Sequence, residues 1–388
     1  MVRKLNKIDK DPKLLPNHLR DINPIRSRFK QLSDMNKEMM DKKNNKYDTD
    51  DYLSDLLKVL KIKSTVVGVG GAGNNTVSRL NDIGLEGTET VNINTDAHDL
   101  YYSNSDKKLL IGKETCNGLG SGNDPFIGAK AAEEDVCRVE NSLNADIVFI
   151  TCGLGGGTGT GAAPIIAREA KKKGSIVVSF CTLPFNSEGS ERRLRAKKGL
   201  YELSKFSDTI IPLPNNNLVN IVPNVPLLTG FKIMDEILIR SIREVVSLIN
   251  NCGLINIDFA DVKRVLQKSG KYPSGLIGIT ESLGSASDLI TKSKLAIRNP
   301  LLELETKDVD KCLVSVTGSH KLTLSKVDNI VTTITNEISN GAQVKFGTAV
   351  DPNIGKKIRI MVLGRGPISP YVKAAIDNDS QFFNNLMN

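Results

Sequence analysis

Two glycine-rich loops, each directly after an apolar strand-like run, restrict this chain to folds in which a sheet presents bare backbone to a ligand. The first, Gly68-Val-Gly70-Gly71-Ala72-Gly73-Asn74-Asn75, follows Thr65-Val66-Val67. The second, Gly153-Leu-Gly155-Gly156-Gly157-Thr158-Gly159-Thr160-Gly161, follows Ile147-Val148-Phe149-Ile150 and opens a helix-like stretch from Ala162 to Lys173. Six glycines in those nine residues leave many N–H groups with no side chain in front of them. At a helix N-terminus such groups and the helix dipole together favour a phosphate. Two loops of this kind on one sheet imply a pocket that wraps a nucleotide polyphosphate from both sides.

The surrounding sequence supplies that sheet. Strands are predicted at Thr65–Val69, Thr90–Asn94, Lys108–Ile111, Asp146–Thr151, Ser175–Cys181 and Thr209–Leu213. Between them, helices fit Asn74–Ile83, Pro125–Val139, Ala162–Lys173 and Glu191–Ser204. Apolar strands alternating with helices argue for an α/β fold, a parallel Rossmann-like sheet covered on both faces, with ligands at the carboxyl ends of the strands. The longest periodic stretch follows: Ile233, Met234, Ile237, Leu238, Ile242, Val245, Val246 and Ile249 share one helical face. It predicts a connecting helix over Thr229–Asn250, roughly 30 Å long. Beyond it, strands near 276–282, 311–316, 343–349 and 357–363 with helices over Ser285–Arg298 and Thr323–Ser339 predict a smaller α+β domain. The expected divisions are a basic, polar extension over 1–48, a nucleotide-binding domain with a docking helix over 49–228, the connecting helix over 229–250, the α+β domain over 251–366, and a short tail over 367–388.

Composition narrows the partners. With 39% apolar and 25% charged residues the chain reads as soluble and globular, and no apolar run approaches the ~20 residues of a membrane span. The N-terminus lacks a signal peptide's apolar core. Net charge is +8, but residues 1–50 hold thirteen Lys/Arg against eight Asp/Glu, so +5 of it sits in the extension. The body is near balance and has no platform of interleaved aromatic and basic residues, which argues against a nucleic-acid partner. Six cysteines without a C-x-x-C pair suit reduced thiols in a cytosolic protein, and three scattered histidines do not make a metal centre.

Gly68-x-Gly70-x-x-Gly73 with Asp96 twenty-three residues later satisfies the dinucleotide fingerprint. An NAD-dependent oxidoreductase has no need of the second loop, however, and Asp96 sits in the loop-like Asn92-Ile-Asn94-Thr95-Asp96-Ala97. No G-x-x-x-x-G-K-[ST] exists, so phosphate charge must be met by amides, a metal and an arginine from elsewhere.

Gly155-Gly-Gly-Thr-Gly-Thr-Gly161 resembles the signature loop of the tubulin/FtsZ superfamily, and its flanks resemble the FtsZ branch. Supporting stretches are Gly70-Gly-Ala-Gly-Asn74, Asn94-Thr-Asp-Ala97, Gly118-Leu-Gly-Ser-Gly122 with Asp124-Pro125, Pro184-Phe-Asn-Ser-Glu188-Gly189 and Asn256-Ile-Asp258-Phe-Ala-Asp261. They occur in the family's order and cover roughly 62–365. The resemblance implies a GTPase that binds GTP or GDP with Mg²⁺, a monovalent cation being a further candidate. Gly70, Gly71, Ala72, Gly73, Asn74, Asn94 and Gly155, Gly156, Gly157, Thr158, Gly159, Thr160 would surround the phosphates, helped by the turn at Gly120 and Gly122. Glu188 and Arg192 would touch ribose and phosphates, Asn215 and Asp235 would read guanine, and Phe231 would lie beside the base. Each also has a plainer reading. Glu188 and Arg192 at i and i+4 suit a surface ion pair, Asn215-Asn-Asn217 could cap a helix near Leu218, and by chemistry alone Phe231 reads as core.

The same resemblance puts hydrolysis on Asn256, Asp258 and Asp261, in a loop that enters the nucleotide pocket of the next subunit. Taken alone, Asp258 as N-cap and Asp261 in the first turn suit a helix start. A head-to-tail contact between unlike surfaces does not close, so it makes an open filament. The function implied is a polymerising cytoskeletal GTPase of cell division, in a cytoplasmic ring at the division site. The alternatives are a filament serving cell shape and a nucleotide-binding scaffold that does not hydrolyse. The partners expected are the chain itself and, through either terminal tail, a membrane-tethering protein or an anionic membrane. The Lys/Asn-rich composition and short tail resemble an archaeal type.

Overall fold

The computed structural model describes residues 61–378, except 86, 251–253, 269, 300 and 301. The basic extension, the docking helix and the end of the tail from 379 lie outside the described residues.

Six strands form one all-parallel sheet: β1 (Ser64–Val69), β2 (Thr88–Asn94), β3 (Lys107–Leu110), β4 (Ile147–Gly153), β5 (Ile176–Leu183) and β6 (Thr209–Pro214). Their order is β3-β2-β1-β4-β5-β6, so the winding reverses between β1 and β4. Successive residues feed opposite cores, as the two-residue strand period requires. Val66, Phe149 and Phe180 face one core, while Val67, Ile150 and Cys181 face the other. With apolar residues wanted on both sides, the strands read as continuous runs.

The first core is closed by the helix Leu227–Asn250, through Met234, Leu238, Ile242, Val245 and Val246. The same core continues into a second sheet of β7 (Gly275–Ser282), β8 (Lys311–Gly318), β9 (Gln343–Val350) and β10 (Ile358–Arg365). The order there is β7-β10-β8-β9, with β10 antiparallel to β7 and β8, and β8 parallel to β9. The long helix is thus a spine shared by both sheets, in agreement with the expected α/β architecture and smaller α+β domain.

Three expectations change in detail. Both loop helices start earlier than predicted, at Gly70 and Thr158, so glycines occupy their first turns. The predicted helix Pro125–Val139 breaks into Pro125–Glu134 and Val136–Asn141. There Asp135 turns its carboxylate to the N–H of Gly112 (2.9 Å) and to Arg138 (2.7 Å). The expected tail from 367 begins with a helix, Pro370–Ile376, whose Tyr371, Val372, Ala374 and Ala375 are buried in the second core beside the helix Ser190–Ser204.

Candidate functional site

Both glycine loops leave the sheet where the strand order reverses, and their strand ends are register neighbours, Val69 beside Cys152. Ligands of open α/β sheets bind in that crevice. The helices Gly70–Ile83 and Thr158–Lys172 that follow have no side-chain N-cap. The helices starting at Ala97, Pro125, Phe259 and Ala286 are capped by Asp96, Asp124, Asp258 and Ser285. Those starting at Ser190 and Leu324 also lack a side-chain cap, so what sets the two loop helices apart is that both open on the same cavity. First-turn N–H groups need a partner. Two uncapped N-termini converging on one cavity present two positive dipole ends to an anion.

The cavity has a volume of about 1020 Å³. Of the residues expected around phosphates, Gly70, Gly71, Ala72, Asn74, Asn94, Gly120, Gly122, Gly156, Gly157, Thr158 and Gly159 line it. Gly73, Gly155 and Thr160 shape it from behind. A Cβ on Gly73 would fall 2.2 Å from the carbonyl oxygen of Thr151, so this glycine lets the helix sit on β4. The Gly155 N–H donates to Thr160 Oγ1 (2.8 Å). Gly156 differs: a Cβ there would meet nothing nearer than Asn123 Oδ1 at 3.9 Å, because it faces the cavity itself.

Asn74 and Asn94 are buried and brace the loops. Asn74 Nδ2 donates to the Gly68 carbonyl (2.8 Å), Asn94 Nδ2 donates to Asn74 Oδ1 (2.9 Å), and Asn94 Oδ1 accepts from the Thr95 N–H (2.9 Å). A hydroxyl chain that sequence reasoning missed joins three loops: Thr158 Oγ1 lies 2.6 Å from Thr95 Oγ1 and 3.0 Å from Ser121 Oγ. Asp96, the acid of the dinucleotide fingerprint, accepts from the N–H groups of His98 and Asp99 as a helix cap. Burial pushes the Cys152 thiol on the cavity wall up to about 12, so it stays protonated.

At the far side, Glu188 Oε2 pairs with Arg192 Nη1 (2.9 Å), while its Oε1 accepts from the Phe185 N–H (2.7 Å). Asn215 is the first residue of the helix Asn215–Ile221 and lines the cavity, so that helix starts before the predicted Leu218. Phe231 is 40% exposed and lines the cavity, with its ring 6.0 Å from that of Phe185. Its core reading is therefore overturned. Asp235 opens toward the same space from the spine helix. Burial pushes its carboxyl above the usual carboxylate range, while hydrogen bonds from Thr76 and Arg79 act against that. Neither partner carried a sequence signal, because both come from the helix after the first loop and meet Asp235 only in the fold.

Asn256, Asp258 and Asp261 do not line this cavity. Asp258 is exposed and caps the helix Phe259–Leu266 by accepting from the Asp261 N–H (2.8 Å). Asp261 is buried, held by Lys345 and 3.6 Å from Arg264. From Asp235 to the end of the spine is fifteen residues, about 22 Å of helix, so these acids sit at the opposite end of it from the cavity.

Residues 63–223 match the family model "Tubulin/FtsZ family, GTPase domain", and residues 275–366 match "FtsZ family, C-terminal domain". The chain is 41% identical over 324 residues to the "Cell division protein FtsZ" of Methanothermobacter thermautotrophicus, covering 83% of this chain and 84% of that one. It is 42% identical over 336 residues to "Cell division protein FtsZ 1" of Thermococcus kodakarensis, covering 86% and 89%. Among solved structures, the empty FtsZ dimer of M. jannaschii superposes with a TM-score of 0.74 at 41% identity, over 82% of this chain and 92% of that one. CetZ2 from Haloferax volcanii shares the fold at 21% identity with a TM-score of 0.71, over 84% of this chain and all of that one. Two family models matched in order along the chain, and two-fifths of its residues shared with archaeal relatives over most of its length, place this chain in the tubulin/FtsZ family, within its FtsZ branch.

Proposed function

We propose that this chain is a filament-forming GTPase whose site is completed by the next subunit, serving cell division as a ring at the division site. The observation that carries the reading is the separation along the spine: two uncapped helix N-termini around a nucleotide-sized cavity at one end, and Asp258 exposed at the other. A nucleotide in the cavity would set its phosphates between the glycine loops and its base against Phe231, Asn215 and Asp235. The acids that could orient water are out of reach within one chain. Stacked head to tail, the Asn256–Asp261 loop of one copy meets the cavity of the next, and such a contact repeats without closing. Phosphoryl transfer asks mostly for positioning and charge neutralisation, which amides, Arg192 and the two aspartates can supply.

Mg²⁺ belongs to the same proposal as a companion of the nucleotide. Among the described residues no group of three His, Cys, Asp or Glu side chains converges to hold a metal. Mg²⁺ commonly binds through substrate phosphates and water with one or two carboxylates, so it would enter with GTP. No helix among the described residues is long and apolar enough to cross a membrane. Attachment to a tethering protein or to anionic lipid belongs to the same proposal, through either the N-terminal extension, 1–48, or the C-terminal tail, 367–388.

The test is GTP turnover per subunit measured from well below to well above the concentration at which light scattering reports assembly. Activity should rise steeply with assembly. A flat line, or full activity in a strictly monomeric sample, overturns the composite site.

A further inference from the structure

We infer that Thr76 and Arg79 form a bracket that sets the orientation of the Asp235 carboxylate and so act as positioning residues for purine selectivity. This rests on the reading of Asp235 as the group that meets the base.

Thr76 Oγ1 donates to Asp235 Oδ1 at 2.6 Å, and Arg79 Nη1 donates to Oδ2 at 3.2 Å. Each oxygen is held by a different donor, so the carboxylate cannot rotate about its terminal torsion without breaking one of them. A carboxylate has about four acceptor sites. The bracket uses two and leaves one on each oxygen, which is what a purine with two adjacent donors requires. Guanine presents such a pair, its ring N–H and its exocyclic amine. Hypoxanthine presents the ring N–H alone.

The bracket also sets distance. Thr76 and Arg79 lie six and nine residues beyond Gly70 on the helix that opens at the first glycine loop. At helical rise they stand roughly 9 and 14 Å from that loop. One rigid element thus spaces the carboxylate from the phosphate end. Arg79 Nη1 further donates to the Lys232 carbonyl oxygen (2.9 Å), fixing the spine helix one turn before Asp235. Thr76, Arg79, Lys232 and Asp235 all line the cavity. The cationic partner favours the ionised carboxylate, the form that accepts twice.

The plainer role for these contacts is to tie two helices together, and base choice separates the two. Binding of GDP and of IDP to the full chain is measured by calorimetry for the parent, Thr76→Val, Thr76→Ser, Arg79→Gln and Asp235→Asn. The parent should favour GDP by about tenfold, one charge-assisted hydrogen bond. Thr76→Val and Arg79→Gln should bring the GDP/IDP ratio close to one, chiefly by weakening GDP, and Thr76→Ser should restore it. Equal losses for both nucleotides, with the ratio kept, overturn the bracket and leave only a tie between helices. A parent that does not distinguish GDP from IDP, or an Asp235→Asn variant with an unchanged ratio, removes the base-reading role of Asp235 and the bracket with it. Arg79→Gln also cuts the bond to Lys232, so melting is followed in parallel. If that variant unfolds, Thr76→Val against Thr76→Ser decides.

Discussion

At the scale of single residues, the glycines that look alike in sequence do different work. Gly156 has open space where a side chain would stand, and its φ lies outside the glycine-favouring region, so Gly156→Val should fold normally yet put a side chain into the cavity where the proposed reading sets the phosphates. Melting should stay within a few degrees of the parent while GTP binding is lost. Retained binding would mean that the loop does not face the nucleotide. Gly73→Ala should instead destabilise, since its Cβ collides with the Thr151 carbonyl. The aspartates divide likewise. Asp258→Ala removes a helix cap, worth about 1 kcal/mol. Asp261→Ala removes the partner of Lys345, which is largely exposed, at a similar cost of about 1 kcal/mol. On the composite-site reading both should leave GTP binding intact and cut turnover by roughly a hundredfold or more. Stopped-flow binding beside steady-state phosphate release checks this, and normal turnover in both would reduce them to helix-start residues. Sequence could name the glycine loops because six glycines in nine residues have no ordinary helical or strand use. It could not sort Gly156 from Gly73, because that depends on which backbone lies opposite.

Among elements, the spine helix was the most legible, since its apolar stripe needs no partner to be recognised. Its polar face was not. Glu244 lies on that face, half-buried, with Arg359 of β10 at 2.9 Å, and Arg359 also reaches Glu281 of β7. Burial pushes the Glu244 carboxyl up and Arg359 only partly offsets this. A carboxyl raised in the folded state stabilises while protonated, and that contribution fades as pH rises through the folded value. Glu244→Gln keeps the shape without the half-buried charge. It should therefore melt higher than the parent at pH 8, with the gain shrinking as pH falls toward about 4.3, the ordinary glutamate value. A Gln variant that melts lower at pH 8 would show that the Arg359 pair outweighs burial. The strands were legible from runs such as Ile147–Ile150, but helix starts at Gly70 and Thr158 were not. Glycine disfavours helix interiors, and only the tertiary contacts of the loops make glycine suitable in those first turns.

For the whole molecule, the least expected feature is the return of the chain to its first sheet after β10. Nothing periodic marks Pro370–Ile376, because a seven-residue helix is too short to show a stripe. Its placement comes from contacts distant in sequence. Tyr371 and Val372 are buried beside Leu200 and Leu203. The Tyr371 hydroxyl donates to Glu303 (2.9 Å), and Asp377 pairs with Lys271 (2.6 Å) and accepts from the Tyr272 hydroxyl (2.9 Å). The end of the second sheet is thereby fastened to the layer opposite the spine, so both faces of the first sheet are joined to it. Ending the chain after Asn378 should leave melting and turnover near the parent's, since all these contacts survive. Ending it after Ser369 uncovers apolar surface on the helix Ser190–Ser204 and removes one buried aromatic and one buried valine. The loss should be on the order of 5 kcal/mol. Because Arg192 of that helix lies against Gly155, GTP affinity should fall as well. Thermal melting and nucleotide titration of the two truncations, compared side by side, test this. Indistinguishable stability would mean that the terminal helix rests on the sheet without holding it.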